Sequence, residues 1–454
     1  GHYKSDDGEI FFKGNKLPTG KPGVAIKAGI GMVHQHFTLA ENLTVLENII
    51  IGEKSLLNFS LPQKSAREKL RKLSEKFGLP IEPDILVGNL SVSEKQRLEI
   101  LKTLYRNCKL LILDEPTAAL TPQETDSLFS TIKQMVRKGL SVILISHKLN
   151  EILSVSDKII VLRNGHVVGT VATTNADRSK LAEMIVGGTV KYPNREPLSR
   201  GAEVMRLENI SCAPINEASK GLQNVNLTLF EGQIVGIAGV TGNGQIPLAK
   251  MIAGHLKPIN GEIFFNNKRC AVFNPKQFMD LGIAYIPEDR NTDGLVGDMS
   301  VWENAVITET DNGNLRTSLG LLNTDTCRKS AQKLCETYDV RSQSLHQPAR
   351  LLSGGNVQKL LLGRWLTRNP KLLVACQPTR GLDEGAIVSI QKMLLEVRKK
   401  GNAILLITED LDELLMLSDR IAVMYNGQLS KSFAPEKLNR TKIGLMMAGE
   451  KFDD

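Results

Sequence analysis

Leu352-Ser353-Gly354-Gly355-Asn356-Val357-Gln358 stands 262 positions after Leu90-Ser91-Val92-Ser93-Glu94-Lys95-Gln96, and the same shift superimposes several further blocks. Asp114-Glu115-Pro116-Thr117 falls on Cys376-Gln377-Pro378-Thr379, and Ile145-Ser146-His147 falls on Ile407-Thr408-Glu409. Asp157 meets Asp419, Asn164-Gly165 meets Asn426-Gly427, and residues 180–187 meet 442–449. Upstream the register is 253, which lays Gly8-Glu9-Ile10 on Gly261-Glu262-Ile263. Solenoid units run roughly 20–50 residues, so a period this long marks a duplicated domain. The copies disagree where chemistry would be done. The first keeps the acidic pair Asp114-Glu115; the second has Cys376-Gln377.

A chain of 454 residues allows two or three domains with their own cores, and the duplication selects two. Apolar residues at 41% and charged residues at 23% describe an ordinary globular protein rather than a disordered one. The longer apolar runs, such as residues 142–145 and 372–376, fall far short of the ~20 residues of a spanning helix. Any membrane role would be played at the surface, through a partner. The six cysteines have no metal-ligand spacing and read as reduced thiols. The net charge of +8 is spread along the chain, so nucleic acid is not expected as a partner.

Short apolar runs at residues 109–113 and 141–145 have the character of buried parallel strands. Residues 122–138 between them read as a helix opened by Thr121 and Pro122. The same strand–helix–strand recurs at 372–375, 384–400 and 403–407, which predicts an α/β domain with a parallel sheet in each copy. Helix-rich insertions are expected at 37–89 and at about 291–350, each a helical subdomain placed before the serine-containing block. The domains are expected at 1–189 and 203–454, joined by a linker at 190–202 that carries Pro193, Pro197 and Gly201. Residues 203–253 have no counterpart in the first copy, since Gly1-His2 aligns with Gly254-His255; about fifty further residues are expected before Gly1.

Gly239-Val240-Thr241-Gly242-Asn243-Gly244 follows the apolar run Ile234-Val235-Gly236-Ile237-Ala238 and precedes a helical stretch. That is the position and glycine spacing of a phosphate-binding P-loop, Gly-x-x-x-x-Gly-Lys-Ser/Thr, in which backbone N–H groups converge on an anion. Gly239, Gly242 and Gly244 are its candidate phosphate contacts, yet Gln245 replaces the lysine and Ile246 replaces the Mg²⁺-binding hydroxyl. Leu110-Leu111-Ile112-Leu113-Asp114-Glu115 is an apolar strand ending in two carboxylates, the Walker B pattern. Asp114 is suited to hold Mg²⁺ and Glu115 to polarise an attacking water. Ser353-Gly354-Gly355 opens an apolar helix with unpaired N–H groups and a positive dipole end, a site for a γ-phosphate. Gln358 completes the block. The first copy has neither glycine there and adds Glu94. His147 and Gln35 each follow a short strand, where one could touch a γ-phosphate and the other could bond Mg²⁺ or the water.

These five blocks, in this order and spacing, resemble the nucleotide-binding domains of ABC transporters, twice over and across nearly the whole chain. Gln35 resembles the Q-loop, Asp114-Glu115 Walker B, His147 the switch histidine, and Ser353-Gly354-Gly355 the signature motif. The resemblance implies two tandem P-loop NTPase domains of ABC type, with ATP and Mg²⁺ as cofactors. It implies that the fifty upstream residues carry the first Walker A, so that ATP hydrolysis is expected of the complete protein and not of the chain from Gly1. In that family two domains pair head to tail, within one chain or with a second copy, and each ATP lies between one domain's Walker motifs and the other's signature. One composite site would then join Gln35, Asp114, Glu115, His147 and Ser353-Gly354-Gly355. The other would join the Gly239 loop, Glu288, Cys376, Gln377 and Glu409 with Ser91-Val92-Ser93, so that every loss falls in one site.

The tandem format further resembles the ATPase subunits of simple-sugar and nucleoside importers. Gly31-Met32-Val33-His34-Gln35-His36-Phe37, Tyr285-Ile286-Pro287-Glu288-Asp289-Arg290 and Gln377-Pro378-Thr379-Arg380-Gly381 carry that likeness, which leans to the nucleoside branch. It implies membrane permease subunits and an extracytoplasmic substrate-binding protein as partners, and a peripheral position at the cytoplasmic face of the inner membrane. A soluble regulatory or nucleic-acid-associated ATPase of the same family, or an inactive fragment, remains an alternative at this level.

Overall fold

The computed structural model describes residues 2–34, 37–51, 63–117, 120, 122–146, 148–163, 165–188, 192–215, 219–311 and 313–450. The chain divides into two compact units, Gly1–Leu181 and Ala182–Asp454. In the first, Ile30–Val33, Leu110–Asp114 and Ser141–Ile145 form a parallel three-stranded sheet with Leu110–Asp114 in the middle. In the second, five parallel strands run in the order Ile283–Ile286, Leu372–Cys376, Ala403–Ile407, Ile234–Ala238 and Arg420–Tyr425, with Gln428–Leu429 added antiparallel at the edge. A separate antiparallel sheet runs in the order Lys268–Arg269, Asn260–Phe265, Glu203–Cys212 and Leu222–Phe230; its last two strands belong to the segment with no counterpart in the first copy, and the first two match the hairpin Ile10–Phe12 and Asn15–Leu17.

The helices sit where the pattern puts them. Pro122–Arg137 and Glu384–Lys399 follow the Walker B strand and its counterpart, the second capped by Asp383, whose side chain accepts from Ala386 N. Both insertions are helical, with Val45–Ile50 and Gln63–Phe77 in one unit and Val301–Val306 and Thr324–Thr337 in the other, and each is followed by the helix that its serine block opens, Val92–Tyr105 or Gly354–Leu366. Each insertion starts with the same device. Thr44 with Glu47, and Ser300 with Glu303, form capping boxes that satisfy the first free N–H groups of the helix. One residue on, buried Asn48 accepts from Ala40 N at 2.8 Å and donates to Ala40 O at 2.9 Å. Asn304 does the same with Val296, at 2.9 Å each way. Two buried amides thus fix the loop that enters each insertion.

One expectation needs adjustment. Residues 141–145 read as a strand buried on both faces, but Ile143 and Ile145 are each 47% exposed. Among the described residues this strand pairs on one side only, whereas Ala403–Ile407 is paired on both sides and wholly buried. Residues 192–202, read as linker, lie on the second unit. Arg195 reaches Asp419 and Glu436, and Arg398 Nη1 donates to Glu196 O at 2.9 Å.

Asp419 is the hub of that contact. Arg398 donates to it twice, at 2.8 and 2.7 Å, and Ile234 N donates at 2.8 Å, so one carboxylate ties a helix end to the start of the central strand. Removing one partner of a buried pair leaves the other charge uncompensated. Asp419→Ala should therefore lower the stability of the second unit by about 3–5 kcal/mol, measured as a fall in the urea midpoint.

Glu413 is a second buried carboxylate; Gln391 Nε2 donates to its Oε1 at 3.4 Å, and its Oε2 has no hydrogen-bond partner among the described residues. Burial, helped by the nearby Asp410 charge, pushes its pKa up to about 7. A raised folded-state pKa contributes stability that is complete below the unfolded value and lost as pH rises through the folded one. Between pH 5 and 8 the wild type should therefore lose on the order of 3 kcal/mol relative to Glu413→Gln. Parallel urea titrations at the two pH values, showing the same gap at both, would count against this.

Candidate functional site

The Walker B strand Leu110–Asp114 ends level with Ile145 of its neighbour, and Glu115 N donates to Ile145 O at 2.9 Å. Glu115 then turns sharply with φ 45°, a left-handed conformation that is costly for a residue with a Cβ. The turn carries its carboxylate off the strand end, beside Asp114; both are half-buried. Gln377 repeats the turn at φ 47°, bonded to Ile407 O at 2.7 Å. The second unit keeps the backbone of the site while its side chains have changed. Cys376, in the place of Asp114, is fully buried, and burial pushes its thiol far up, so it is no anionic ligand. Gln35 and His147 lie outside the described residues.

The P-loop of the second unit has the expected form. Gly244 sits at φ 117° as the N-cap of helix Gln245–Ile252, a conformation open to glycine, and Gly239 and Gly242 lie in the loop before it. Its interior is not free. Gln245 folds back, buried, and its Nε2 donates to Val240 O at 3.0 Å; its amide lies where a Cβ on Gly239 would be. Glu409, in the place of His147, accepts from Thr241 N at 2.9 Å and from the Thr241 hydroxyl. Glu409 N in turn donates to Gln377 Oε1 at 3.3 Å. A carboxylate of the chain itself therefore holds a loop N–H that a phosphate would otherwise hold.

Glu288, at the position matching Gln35, is tied to Arg380 at 2.5 Å. Burial raises its pKa, and the Arg380 charge partly offsets this. The first copy has Ala118 in the place of Arg380, so this cation belongs to the second unit's own substitution pattern.

The two serine blocks differ in the same sense. Ser91 N-caps helix Val92–Tyr105 in a capping box with Glu94. Glu94 Oε2 accepts from Ser91 N at 2.9 Å and Ser91 Oγ at 2.7 Å, bonds that hold this carboxyl below its ordinary range. Ser353 N-caps helix Gly354–Leu366, whose first turn has no acidic residue. Ser353 Oγ accepts from Asn356 Nδ2 at 2.9 Å. A Cβ on Gly355 would lie 2.7 Å from the Ala386 methyl, so only glycine fits there. Arg290 Nη2 lies 2.9 Å from where a Gly354 Cβ would be, and Arg290 Nη1 donates to Arg380 O at 2.7 Å. A guanidinium thus stands beside the open helix start, where dipole and charge both favour an anion. Arg290 stands in one of the blocks that carry the importer likeness, but its place beside Gly354 is not legible there, because its partners are 60 and more residues away. Gln358 lies one turn on, 2% exposed, with no hydrogen-bond partner for its Nε2.

Comparison with known proteins fits this geometry. The ABC transporter family model matches residues 1–118 and 222–380. A glucose import ATP-binding protein of Haloferax volcanii is 42% identical, over 99% of this chain and 87% of that protein. A nucleoside import ATP-binding protein of Lactococcus lactis subsp. cremoris and a guanosine import ATP-binding protein of Bacillus subtilis are each 40% identical, over 99% of this chain and 88% of theirs. With a Walker B strand end, a glycine-bearing P-loop and a serine–glycine helix start all in place, the chain belongs to the ABC transporter family of ATP-binding proteins.

Proposed function

We propose that this chain is the ATP-hydrolysing subunit of an importer for a simple sugar or nucleoside, with one working and one silent composite ATP site. What supports the one-site reading is the fate of the anion-binding backbone groups. The Gly239–Gly244 loop and the Ser91 helix start are the two assigned to the silent site, and each has one backbone N–H, that of Thr241 or Ser91, engaged by an internal carboxylate, Glu409 or Glu94. The Ser353 helix start, assigned to the working site, has an arginine beside it instead. In the working site Gln35, Asp114, Glu115 and His147 serve with Ser353, Gly354, Gly355 and Gln358. Asp114 is a single carboxylate at a strand end, which fits a Mg²⁺ that commonly binds through one or two carboxylates plus substrate phosphates. Such an ion would neutralise phosphate charge. Glu115 accepts the proton of the attacking water. The cargo class rests on the import proteins named above. The domain limits 1–189 and 203–454 belong to this reading too.

The chain would sit at the cytoplasmic face of the membrane, held there by permease subunits that receive cargo from a substrate-binding protein. Among the described residues no helix is long and apolar enough to cross a membrane. Docking through the helical insertions is supported by a cavity of about 520 Å³ in the first unit, between strand Ile30–Val33 and helix Val92–Tyr105. His34, one residue before Gln35 in sequence, lines it together with Thr38, Lys102 and Arg106. In the second unit's insertion, Leu319 and Leu321 are exposed apolar side chains suited to a protein partner.

Replacing Glu115 by Gln should cut ATP turnover roughly 10²–10⁴-fold, the span of a general base, with ATP binding retained. Gln377→Ala should leave turnover nearly unchanged. Equal losses from both substitutions would sink the one-site reading. For docking, single cysteines within residues 39–51 and 295–307 should crosslink to permease cytoplasmic loops in active vesicles; crosslinks only from the opposite face of each unit would reject it.

A further inference from the structure

Glu151 lies in the first turn of helix Leu149–Val155 and is 9% exposed. Thr117 Oγ1 is 2.7 Å from both of its carboxylate oxygens. Ser146 Oγ donates to Oε2 at 3.0 Å, and Lys148 Nζ stands 3.2 Å from Oε1. Thr117 comes two residues after Glu115, and Ser146 immediately precedes His147. One buried carboxylate therefore joins the loop that carries Glu115 to the end of the strand that leads into His147. A carboxylate this far from water is costly unless its oxygens stay paired. Pulling either loop away would strip it of a partner, so the two loops are held as one body. The left-handed turn at Glu115 adds a reason for an anchor, since a strained backbone persists only where its surroundings over-determine it.

The second unit keeps the residues of this clamp without the chemistry. Glu413, 262 positions on, has Thr379 and Thr408 at the places of Thr117 and Ser146 and Asp410 at the place of Lys148; Gln391 donates to its Oε1, and its Oε2 has no hydrogen-bond partner among the described residues. A buried carboxylate thus stands at this position in both units, and a catalytic role is available in only one.

We propose that Glu151 is a positioning residue for ATP hydrolysis, fixing the Glu115 loop against the His147 strand end. This rests on the assignment of Glu115 as the base. The test uses the full chain with its permease in proteoliposomes, comparing Glu151→Ala, Thr117→Val, the double variant, Glu151→Gln and Glu413→Ala, with Glu115→Gln alongside. Glu151→Ala should lower kcat by roughly tenfold to 10²-fold, the cost of a small misplacement, with KM for ATP nearly unchanged. Thr117→Val, nearly isosteric, should lower kcat in the same way even if Glu151→Ala folds poorly. The double variant should be little worse than Glu151→Ala, because both break one network. Glu151→Gln keeps an acceptor and should recover most of kcat. Glu413→Ala should lower the urea midpoint but leave kcat per folded protein as it was. The proposal is overturned if Glu151→Ala keeps its kcat, if Glu413→Ala lowers kcat as much, or if the Thr117 and Glu151 losses multiply. Turnover that survives Glu115→Gln removes the base assignment, whereas its loss there with kcat intact in Glu151→Ala removes the positioning role alone.

Discussion

A helix that starts at a surface leaves N–H groups with no partner inside the helix, and something must accept from them. Much of this chain's functional architecture depends on how that demand is met. At Ser91 the acceptor is Glu94, three residues on. At the Gly239–Gly244 loop Glu409 arrives from 168 residues away to accept from Thr241, while Gln245 folds back onto Val240 O. At Ser353 no acidic residue lies in the first turn, and Arg290 stands alongside. The first two arrangements complete themselves; the third favours an anion from outside. A loop that no longer requires a ligand is stabilised by a side chain that takes the ligand's hydrogen bonds. The side chains by which the Gly239–Gly244 loop and the Ser91 helix start differ from their counterparts therefore also make those segments more self-sufficient.

The backbone has outlasted the side chains. Glu115 and Gln377 share the same left-handed turn and the same bond to the neighbouring strand, at 2.9 and 2.7 Å. Thr44 with Asn48, and Ser300 with Asn304, fix the two insertion entries by the same caps and amide bonds. Strand pairing and capping constrain these turns whatever the loop later carries. Function can be lost by replacing Asp114 with Cys376 in an unchanged frame, because a thiol fits a buried strand end at least as well as a carboxylate does.

What could be read in the sequence was local or periodic. The duplication, the strand–helix–strand alternation, the helical insertions and the acidic strand end are all carried by neighbouring residues. Glu94 was visible as an acidic residue in the wrong place, but its role as a capping-box partner needs the helix start to be known. Arg290 beside Gly354, Glu409 on Thr241 and Thr117 on Glu151 bring together residues 34 to 168 positions apart, and no periodicity encodes them. Ile143 and Ile145 illustrate the opposite limit. Their apolar run predicts a strand, correctly, but whether both its faces are covered depends on neighbours that the run itself does not specify.

The two carboxylate clamps diverge in charge, in the direction their surroundings dictate. In the first unit Lys148 balances Glu151 at 3.2 Å. In the second, Asp410 is committed to capping the next helix, accepting from Asp412 N at 2.9 Å and Glu413 N at 3.2 Å. Its negative charge adds to burial in lifting Glu413 to about 7. A carboxylate that exchanges its proton near neutrality alternates between accepting and donating. Such a group holds its loops less firmly than Glu151, whose oxygens accept from Thr117 and Ser146 with Lys148 alongside. The firmer contact stands in the unit that keeps Asp114, Glu115 and His147, and the looser one beside Cys376, Gln377 and Glu409. On the one-site reading proposed above, the lysine stands in the unit where a fixed loop is of use.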